Sequence, residues 1–531
     1  MLRLDYVSPL PPTRTGIADY SADLLPHLAA RCDLRLVALP GQPVDPRLAA
    51  RWPTVSTAEL GAGDRLPLYQ MGNNELHEPV WEAARRLPGV LVLHDLVLHH
   101  FLLGRTLGRP PGDLAAYRAQ LADDHGWVGA ASAAPARWGV VGTAVQFALP
   151  ARRTLLRGQR GVLVHSAWAV DELRGDDPEL RVRAVPMAVP LPPPVDPAAG
   201  SALRARLGIP EGAPVLGSFG FQTPMKRTHV AVRALATPEL AHVHLIVAGE
   251  VSPHVDLAGL ARKLGVTDRV HLLGYVAFDE LERAIAASDL CLNLRHPTAG
   301  ETSASLLRIL AVGRPTVVSE YAQFRDLPDA AVVKVPLAVD GDPASEAAAM
   351  ASRLAALLAA PETLRRLGQA AREHVAREHD PARAAAAVVD ACRDLATAAP
   401  PGPAPARERP PRPPFAAPAG ELAIETLDGW APGQRRALRV RLRNTGDGLW
   451  LATRRGLGGT VLRVELVDED GGGVETLPWI EMPRDVEPGG EHVFTAVLRR
   501  PLGAATLKVT PYLLEMGDAC VYGGPAFAGA V

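Results

Sequence analysis

The feature that most constrains the fold is a repeated pattern from the first residue to about residue 395, in which short apolar segments alternate with longer helical patterns. The apolar segments are rich in Leu and Val and mostly lack polar alternation, as is typical of parallel strands buried on both faces. Clear examples are LRLVAL (34–39), VLVLHD (90–95), GVLVHS (161–166), VLGSFG (215–220), HLIVAGE (244–250), RVHLLG (269–274) and DLCLNL (289–294). This order of elements predicts βα units and parallel sheets.

A proline-rich segment divides this pattern into two series. The segment VPMAVPLPPPVDPAAG, residues 185–200, crowds prolines together and therefore excludes a helix. A length of 531 residues fits about three or four domains of roughly 100 to 200 residues each. We predict two Rossmann-like domains, residues 1–190 and 191–397, that face a cleft, and we expect the last helix of the second domain to return to the first.

The C-terminal part of the chain has a different composition. Residues 398–420 are rich in Pro and Ala, which predicts a semi-rigid linker without a core. Residues 421–531 alternate apolar and polar positions and predict an all-β sandwich, which resembles Ig-like accessory domains. Its tryptophans could form the core, the commoner role, or stack on a glycan. They are Trp430, Trp450 and Trp479.

Charge and cysteine content exclude several classes of protein. Lys and Arg total 56 and Asp and Glu total 58, so the chain has no global charge bias toward nucleic acid or acidic membranes. Four scattered cysteines without a CxxC spacing suggest neither a disulfide framework nor a zinc site. No secretory leader and no apolar run of about 18 residues is present in the sequence. We therefore expect a cytoplasmic protein, for which contact with the inner face of the membrane stays open.

Candidate site residues fall where strands end, which is where open α/β sheets bind ligands. Gly16 begins a helix after the first strand and would let backbone NH groups approach a phosphate or sugar, although a plain βα turn has the same pattern. His94 and Asp95 end another strand. There, a histidine could bind a sugar hydroxyl or share a proton, or His94 could be buried and satisfied while Asp95 caps a helix.

The sequence predicts no metal site. His99 and His100 add to the histidines near the second motif, but their spacing suits no common metal triad, and we expect them on a solvated helix face. Two Asp-x-Asp spellings occur, Asp340-Gly341-Asp342 and Asp468-Glu469-Asp470. Both lie in sequence typical of turns, so we interpret them as turns rather than as metal ligands.

A third motif, GSFGFQTPMKRTHVAVRAL (217–235), combines a strand, a loop that contains Gly220, and the adjacent cations Lys226 and Arg227 where a helix begins. Cations at this place could neutralise a diphosphate, although paired basic residues are usually surface charge. The loop is not GxGxxG, and no GxxxxGK occurs in the chain. Neither a dinucleotide oxidoreductase nor a P-loop NTPase is indicated.

The fourth motif, LNLRHPTAGETSASLLRILAVGRP (292–315), contains a loop of small residues that we predict to open a helix. Glu301 is expected in the first turn of that helix, with Gly300 before it. The free NH groups at Thr302 and Ser303, together with the helix dipole, would hold an anion. Ser and Thr also form ordinary N-caps, which is the alternative interpretation of this loop.

Together the four motifs resemble glycosyltransferase family 4 and its GT-B relatives over nearly all of residues 1–395. The resemblance implies a GT-B fold whose second domain binds a nucleotide-diphosphate sugar and whose first domain holds a glycan or lipid-linked acceptor. It implies that Lys226 contacts the diphosphate and that Gly16 and His94 match the family's glycine loop and its histidine near the donor sugar. The residues predicted to bind the donor are Gly16, Gly220, Lys226, Arg227, Gly300, Thr302 and Ser303. The helical residues 105–157 would cover the first domain or frame the acceptor pocket.

The sequence departs from the family pattern at two places. The family often carries two glutamates with seven residues between them, but counting back from Gly313 places Arg308 at the second position and Gly300 at the first. Glu301 replaces the first glutamate only with a shift of one residue. A basic residue that the family has in the loop at 220–226 is replaced by Phe221, which leaves Lys226 and Arg227 for the diphosphate.

The expected function is retaining, metal-independent and cofactor-independent sugar transfer in bacterial polysaccharide or glycolipid assembly. By resemblance, His94 would orient the donor and Glu301 would bind a sugar hydroxyl. We predict His94, Asp95 and Glu301 as the catalytic residues. Two alternatives stay open. One is a GT-B sugar phosphorylase or nucleotide-sugar epimerase, and the other is a carbohydrate-binding or scaffold protein without catalysis.

Overall fold

A computed structural model describes most of the two α/β regions and part of the C-terminal region. The residues described are 1–108, 111–133, 143–194, 196–336, 343–402, 420–425, 430–431, 434–446, 450, 452, 460–467, 473–499, 506–513 and 527–530. Most of the predicted linker, both Asp-x-Asp sequences and Cys520 lie outside these ranges.

The first lobe contains a sheet of seven parallel strands in the order β3-β2-β1-β4-β5-β6-β7. The central strands β4 and β5 are buried along their whole length, and their residues are apolar apart from Gln70 and the hydroxyl group of Tyr69. The strand order reverses between β1 and β4, so a crevice opens at the carboxyl ends of these two strands. The strands are Arg3–Val7 (β1), Asp33–Ala38 (β2), Thr54–Ser56 (β3), Leu66–Met71 (β4), Val90–Leu93 (β5), Gly161–Val164 (β6) and Val182–Ala184 (β7).

Helices flank this sheet, and two of them begin next to the crevice. The Thr15 hydroxyl accepts from the backbone NH of Ala18 at 3.0 Å and so caps α1, and Ser166 caps α8 in the same way. The helices of the first lobe are Gly16–Ala29 (α1), Pro46–Arg51 (α2), Glu78–Arg86 (α3) and Ala167–Asp176 (α8).

The second lobe contains six parallel strands in the order β10-β9-β8-β11-β12-β13, which reverses between β8 and β11. The carboxyl ends of β8 and β11 are therefore adjacent and form the second crevice. The strands are Val215–Phe219 (β8), His244–Ala248 (β9), Val270–Gly274 (β10), Leu290–Asn293 (β11), Thr316–Ser319 (β12) and Val333–Val335 (β13). The helices are Pro197–Arg206 (α9), Thr228–Ala234 (α10), Leu257–Lys263 (α11), Phe278–Ala286 (α12), Ala304–Val312 (α13), Pro343–Leu358 (α14) and Pro361–Glu378 (α15).

The final helix of this region, Pro381–Leu395 (α16), packs against α1 of the first lobe. Its apolar face, which includes Ala385 and Val388, is buried in the same core as Leu24 and Leu28 of α1. The two lobes thus share one hydrophobic core in addition to the proline-rich connection. The fold class is confirmed for these residues, which form two Rossmann-like domains.

Residues 97–155 belong to a separate unit and are helical where described. The helices are His99–Thr106 (α4), Leu114–Ser132 (α5), Thr143–Ala148 (α6) and Arg153–Arg157 (α7). The prediction that His99 lies on a solvated helix face is wrong. Its side chain is fully buried, with Nδ1 at 2.6 Å from the Leu149 carbonyl and Nε2 at 2.7 Å from the Tyr117 hydroxyl. Both ring nitrogens have partners, so burial of this histidine is satisfied.

The C-terminal region is all-β, as predicted. Its two antiparallel sheets have the orders β14-β15-β18 and β17-β16-β19-β20 and share one apolar core that contains Trp430 and Trp450. These two indole rings are buried and therefore belong to the core, while the Trp479 side chain lies outside the description. The strands are Gly420–Glu425 (β14), Arg435–Asn444 (β15), Thr460–Val467 (β16), Gly473–Glu481 (β17), Glu491–Arg499 (β18), Thr506–Leu513 (β19) and Phe527–Ala530 (β20). Among the described helices of the whole chain, none has the length and apolarity that a membrane span requires.

Candidate functional site

The loop after β8 carries a buried lysine. Only 8% of Lys226 is exposed, and its ammonium donates to the Phe219 carbonyl at the end of the strand. Gly220 makes room for that ammonium, because a Cβ at this position would lie 2.8 Å from Lys226 Nζ. The backbone of Gly220 also has a φ of +90°, which favours glycine. Lys226 is therefore built into the carboxyl edge of the sheet and is not ordinary surface charge.

The next loop around the reversal point, after β11, holds Glu301 by both carboxylate oxygens. Arg295 Nε donates to Oε1 at 2.7 Å, and the Thr298 hydroxyl donates to Oε2 at 2.9 Å. The Gln323 amide donates to the Glu301 carbonyl at 2.6 Å and to the Thr298 hydroxyl at 3.1 Å. These bonds fix the carboxylate in one orientation, as expected of a group that must meet a ligand in a defined geometry.

Helix α13 begins later than predicted. Its N-cap is Ser303, whose hydroxyl accepts from the backbone NH of Leu306 at 3.3 Å, and its first residue is Ala304. The expectation that Glu301 lies in the first helical turn is therefore wrong. The bonds from Arg295 and Thr298 hold Glu301 in the loop before the cap, where its carboxylate faces the same edge of the sheet as Lys226.

The start of α13 connects the two loops. Ser305 Oγ lies 3.4 Å from Lys226 Nζ, 3.3 Å from Asn293 Nδ2 and 3.1 Å from Ser303 Oγ. Thr302 lies between Glu301 and the cap, in the same loop. The hydroxyl group of Ser305 at this helix start therefore lies beside the buried ammonium, and a helix start next to a cation can hold an anion.

The charges at this edge do not balance within the described residues. The charges of the Arg295 guanidinium and of the Glu301 carboxylate both affect the pKa of Lys226. Burial is the main cause that lowers the pKa of Lys226 well below its usual range, and Arg295 lowers it further, while Glu301 opposes the shift. Two cations thus face one carboxylate. A ligand with negative charge would lower the cost of keeping both cations protonated in a buried place.

Gly300, predicted to bind the donor, packs against the first lobe. Its φ is +77°, and a Cβ there would lie 2.7 Å from the Cβ of Leu96, in the loop after β5. Beside it, the backbone NH of Leu96 donates to the carbonyl of Ala299 at 2.6 Å. This contact brings the loop that carries Glu301 next to the loop that carries His94 and Asp95.

Arg227 has a different environment from Lys226. Its guanidinium forms an ion pair with Glu346 of α14 rather than joining the cluster around Lys226. It is also the residue before α10 and has a φ of +54°, an uncommon conformation for a residue with a side chain. Its placement at a diphosphate stays a prediction, because it already has a carboxylate partner.

In the first lobe, His94 is buried at the end of β5. Its Nε2 lies 2.9 Å from the amide oxygen of Gln70, which makes Nε2 the nitrogen that donates. The rings of Tyr20 and His165 lie 5.0 Å and 5.1 Å from the His94 ring between centroids. Burial lowers the pKa of His165 to about 4, so that imidazole is neutral near pH 7.

Three polar atoms around His94 are buried without a hydrogen-bond partner among the described residues: Tyr20 Oη, His165 Nε2 and Gln70 Nε2. Orphaned buried groups are rare in structural cores and often mark the place of a ligand or ordered water. Asp95 follows His94 and is not the N-cap residue of α4, which is Leu98. Gly16 is the first residue of α1, and a Cβ there would meet no described atom within 4 Å, so this helix start is open.

Sequence reasoning missed Arg295, Thr298 and Ser305, which hold Glu301 and connect it to Lys226. Arg295 lies two residues after β11, and a cation near the carboxyl end of a buried strand was the signal that could have identified it. In the parts of the chain that the structure describes, no group of three or more His, Cys, Asp or Glu side chains is arranged to hold a metal ion.

Comparison with known proteins places these observations in a family context. Residues 227–390 match a family model described as glycosyl transferase-like. A D-inositol 3-phosphate glycosyltransferase from Stackebrandtia nassauensis is 37% identical over 155 residues, which cover 26% of this chain and 34% of that protein. The matched stretch therefore spans about a third of the length of this curated relative.

Solved structures with a similar fold include the following two. Anabaena HepE in complex with UDP covers 74% of this chain and 100% of its own, with a TM-score of 0.52 and 16% identity. Sucrose-phosphate synthase from Thermosynechococcus elongatus covers 74% of this chain and 99% of its own, with a TM-score of 0.51 and 17% identity. At this level of identity the similarity establishes the fold, and the two lobes have the GT-B fold.

Proposed function

We propose that this chain is a retaining glycosyltransferase that moves a sugar from a nucleotide-diphosphate donor to an acceptor hydroxyl without a metal ion. The observation that carries the proposal is the cluster at the carboxyl ends of β8 and β11. There, the buried ammonium of Lys226 lies 3.4 Å from Ser305 Oγ at the start of α13 and beside the fixed carboxylate of Glu301. The matched family model is described as glycosyl transferase-like and the sequence relative is a glycosyltransferase, and both support the proposal of sugar transfer.

The reaction places its main demand on the leaving diphosphate, whose negative charge grows as the bond to the sugar breaks. The Lys226 ammonium and the NH groups before α13 would stabilise that charge. Each fixed donor of this kind contributes about 2.7 to 4 kcal/mol to the transition state where water is excluded. Glu301, with both oxygens held, would accept a hydrogen bond from a sugar hydroxyl, and His94 would orient the sugar from the first lobe.

A uridine donor is the first choice to test, because HepE has been solved with UDP and with UDP-glucose. The acceptor would lie against the first lobe and would be a glycan or a lipid-linked sugar of a bacterial polysaccharide or glycolipid pathway. The orphaned polar atoms of Tyr20, His165 and Gln70 provide hydrogen-bonding capacity there.

A thermal-shift screen tests donor binding. UDP, GDP, ADP and dTDP and their sugars are tested with and without EDTA, since a ligand that binds only the folded protein raises its melting temperature. We expect one nucleotide class to raise it, and the shift to survive EDTA. Absence of a shift with every nucleotide would contradict the proposal.

Donor hydrolysis and transfer test catalysis. We expect Glu301→Gln to lower the rate at least about 100-fold, as loss of one fixed transition-state contact does, and Glu320→Gln, an exposed glutamate after β12, to leave it unchanged. NMR of the product should show that the anomeric configuration is retained. A phosphorylase would require free phosphate, an epimerase would need no acceptor, and a binding protein would hold the nucleotide without turnover.

A further inference from the structure

The loop after β8 provides one cation to the cluster around Glu301. Lys226 is buried in it, while the neighbouring Arg227 forms an ion pair with Glu346 of another helix. Phe221, also in this loop, is 52% exposed and brings an aromatic ring instead of a charge. A diphosphate carries at least two negative charges near neutral pH, so a single ammonium does not match it.

A second cation comes from the adjacent strand. Arg295 follows β11, which pairs directly with β8, and only 8% of the residue is exposed. Its backbone NH donates to Ser319 Oγ at 3.0 Å, which fixes the start of the loop. Its guanidinium lies near enough to Lys226 to lower the pKa of that ammonium. The two cations are thus held close together although like charges repel each other.

Glu301 compensates one of these two charges. The Arg295 Nε bond to Glu301 Oε1 is 2.7 Å long and uses one edge of the guanidinium, which has five N–H donors in total. A guanidinium can bind a phosphate with two parallel hydrogen bonds, which an ammonium cannot do. The remaining positive charge and the remaining donors both suit an anion with several oxygens at the start of α13.

We propose that Arg295 is the second diphosphate-binding cation of this site and acts together with Lys226 of the loop after β8. This assignment rests on the proposed function and adds a residue to its donor site. It differs from a purely supporting role, in which Arg295 would act only by holding the Glu301 carboxylate for the sugar.

Binding of inorganic pyrophosphate and of UDP, measured by titration calorimetry on the full chain, distinguishes these roles, because pyrophosphate has no sugar for Glu301 to contact. We expect Arg295→Met to weaken both ligands about 10- to 100-fold, as loss of a charge-assisted hydrogen-bond pair does. The matched control is Arg283→Met, which removes an exposed arginine paired with Asp279. We expect that control to bind both ligands as the wild type does.

Two further variants keep the test independent of folding. Arg295→Lys retains the charge but not the planar pair of donors, so we expect a smaller loss of about 3- to 10-fold with an unchanged melting temperature. In the double variant Phe221→Arg with Arg295→Met, the new guanidinium on the β8 loop should restore part of the affinity, which a defect of packing would not allow.

The outcomes separate this assignment from the proposed function. If the wild type binds pyrophosphate and UDP and the two Arg295 variants bind them equally well, Arg295 is not a diphosphate ligand, while the glycosyltransferase proposal stands. If the wild type binds neither pyrophosphate nor any nucleoside diphosphate, both proposals are overturned. A loss for UDP-glucose alone, with pyrophosphate unaffected, would also overturn the assignment and point to the supporting role.

Discussion

Replacement of Gly300 by alanine tests whether the contact between the two lobes requires a residue without a Cβ at position 300. The φ of +77° is unfavourable for a residue with a Cβ and costs about 1 to 2 kcal/mol. The added methyl would also lie 2.7 Å from Leu96 Cβ and 3.0 Å from Leu96 Cδ1. Carbon atoms prefer separations of about 3.5 to 4.0 Å, so one loop must move by roughly 1 Å.

Overpacking of this kind typically costs about 1 to 3 kcal/mol. Together with the backbone cost, we expect Gly300→Ala to lower the free energy of unfolding by about 2 to 5 kcal/mol. The hydrogen bond from Leu96 to Ala299 lies beside the clash and would be strained by the same movement. Because Glu301 follows directly, we also expect the rate of sugar transfer to fall.

Urea unfolding followed by circular dichroism measures the effect, and Gly208→Ala is the matched control. Gly208 has a φ of +67°, but a Cβ there would meet no described atom within 4 Å. The control therefore contains the backbone cost without the clash, and the difference between the two variants isolates the contact with Leu96. A difference below about 0.5 kcal/mol, the usual size of a surface substitution, would refute the reasoning.

Three further predictions concern titration and burial. Affinity for pyrophosphate should fall as the pH rises through the depressed pKa of Lys226, because the ammonium then loses its charge. Titration calorimetry should show this fall in the wild type, whereas Lys226→Met should bind weakly, with an affinity that depends less on pH. Burial lowers the pKa of His165 from 6.5 to about 4. Between these two pH values His165 is protonated only in the unfolded chain, so the stability that is present above pH 6.5 is lost as the pH falls toward about 4. His165→Gln should therefore reduce the fall in melting temperature over this pH range. Gln70→Leu leaves the buried His94 Nε2 without its acceptor and should lower the free energy of unfolding by about 1 to 3 kcal/mol, as measured in urea.

The sequence was sufficient to predict the sheets and the position of the cleft, because both follow from local patterns. Strands buried on both faces, such as Leu66–Met71, have no polar alternation, and a parallel sheet leaves few alternatives for their pairing. The predicted residues Lys226 and Glu301 lie in the loops that follow β8 and β11, and the pairing of these two strands brings both loops to the same edge of the sheet.

What the sequence could not predict depends on contacts between distant residues. His99 was predicted on a solvated helix face because its spacing suits no common metal triad, but its partners Tyr117 and Leu149 lie 18 and 50 residues away in the sequence. The start of α13 after Ser303 was not predicted, because the loop of Gly, Glu, Thr and Ser contains several residues that could cap the helix. Hydrogen bonds from Arg295 and Thr298 hold Glu301 in the loop and leave Ser303 as the N-cap.

The arginine at position 308, where the family pattern has a second glutamate, has a structural partner in the first lobe. Arg308 Nη2 lies 3.5 Å from the Asp23 carboxylate of α1, and its guanidinium lies 4.1 Å from the centre of the Phe278 ring. Burial already raises the pKa values of Asp19 and Asp23, and Arg308 opposes that rise. A glutamate at 308 would add a third carboxylate to a place where two are already poorly solvated, so the arginine at 308 and the aspartates of α1 depend on each other. In this chain the position contributes to the contact between the lobes, and under the proposed function we expect donor recognition to rely on Lys226 and the loop after β11.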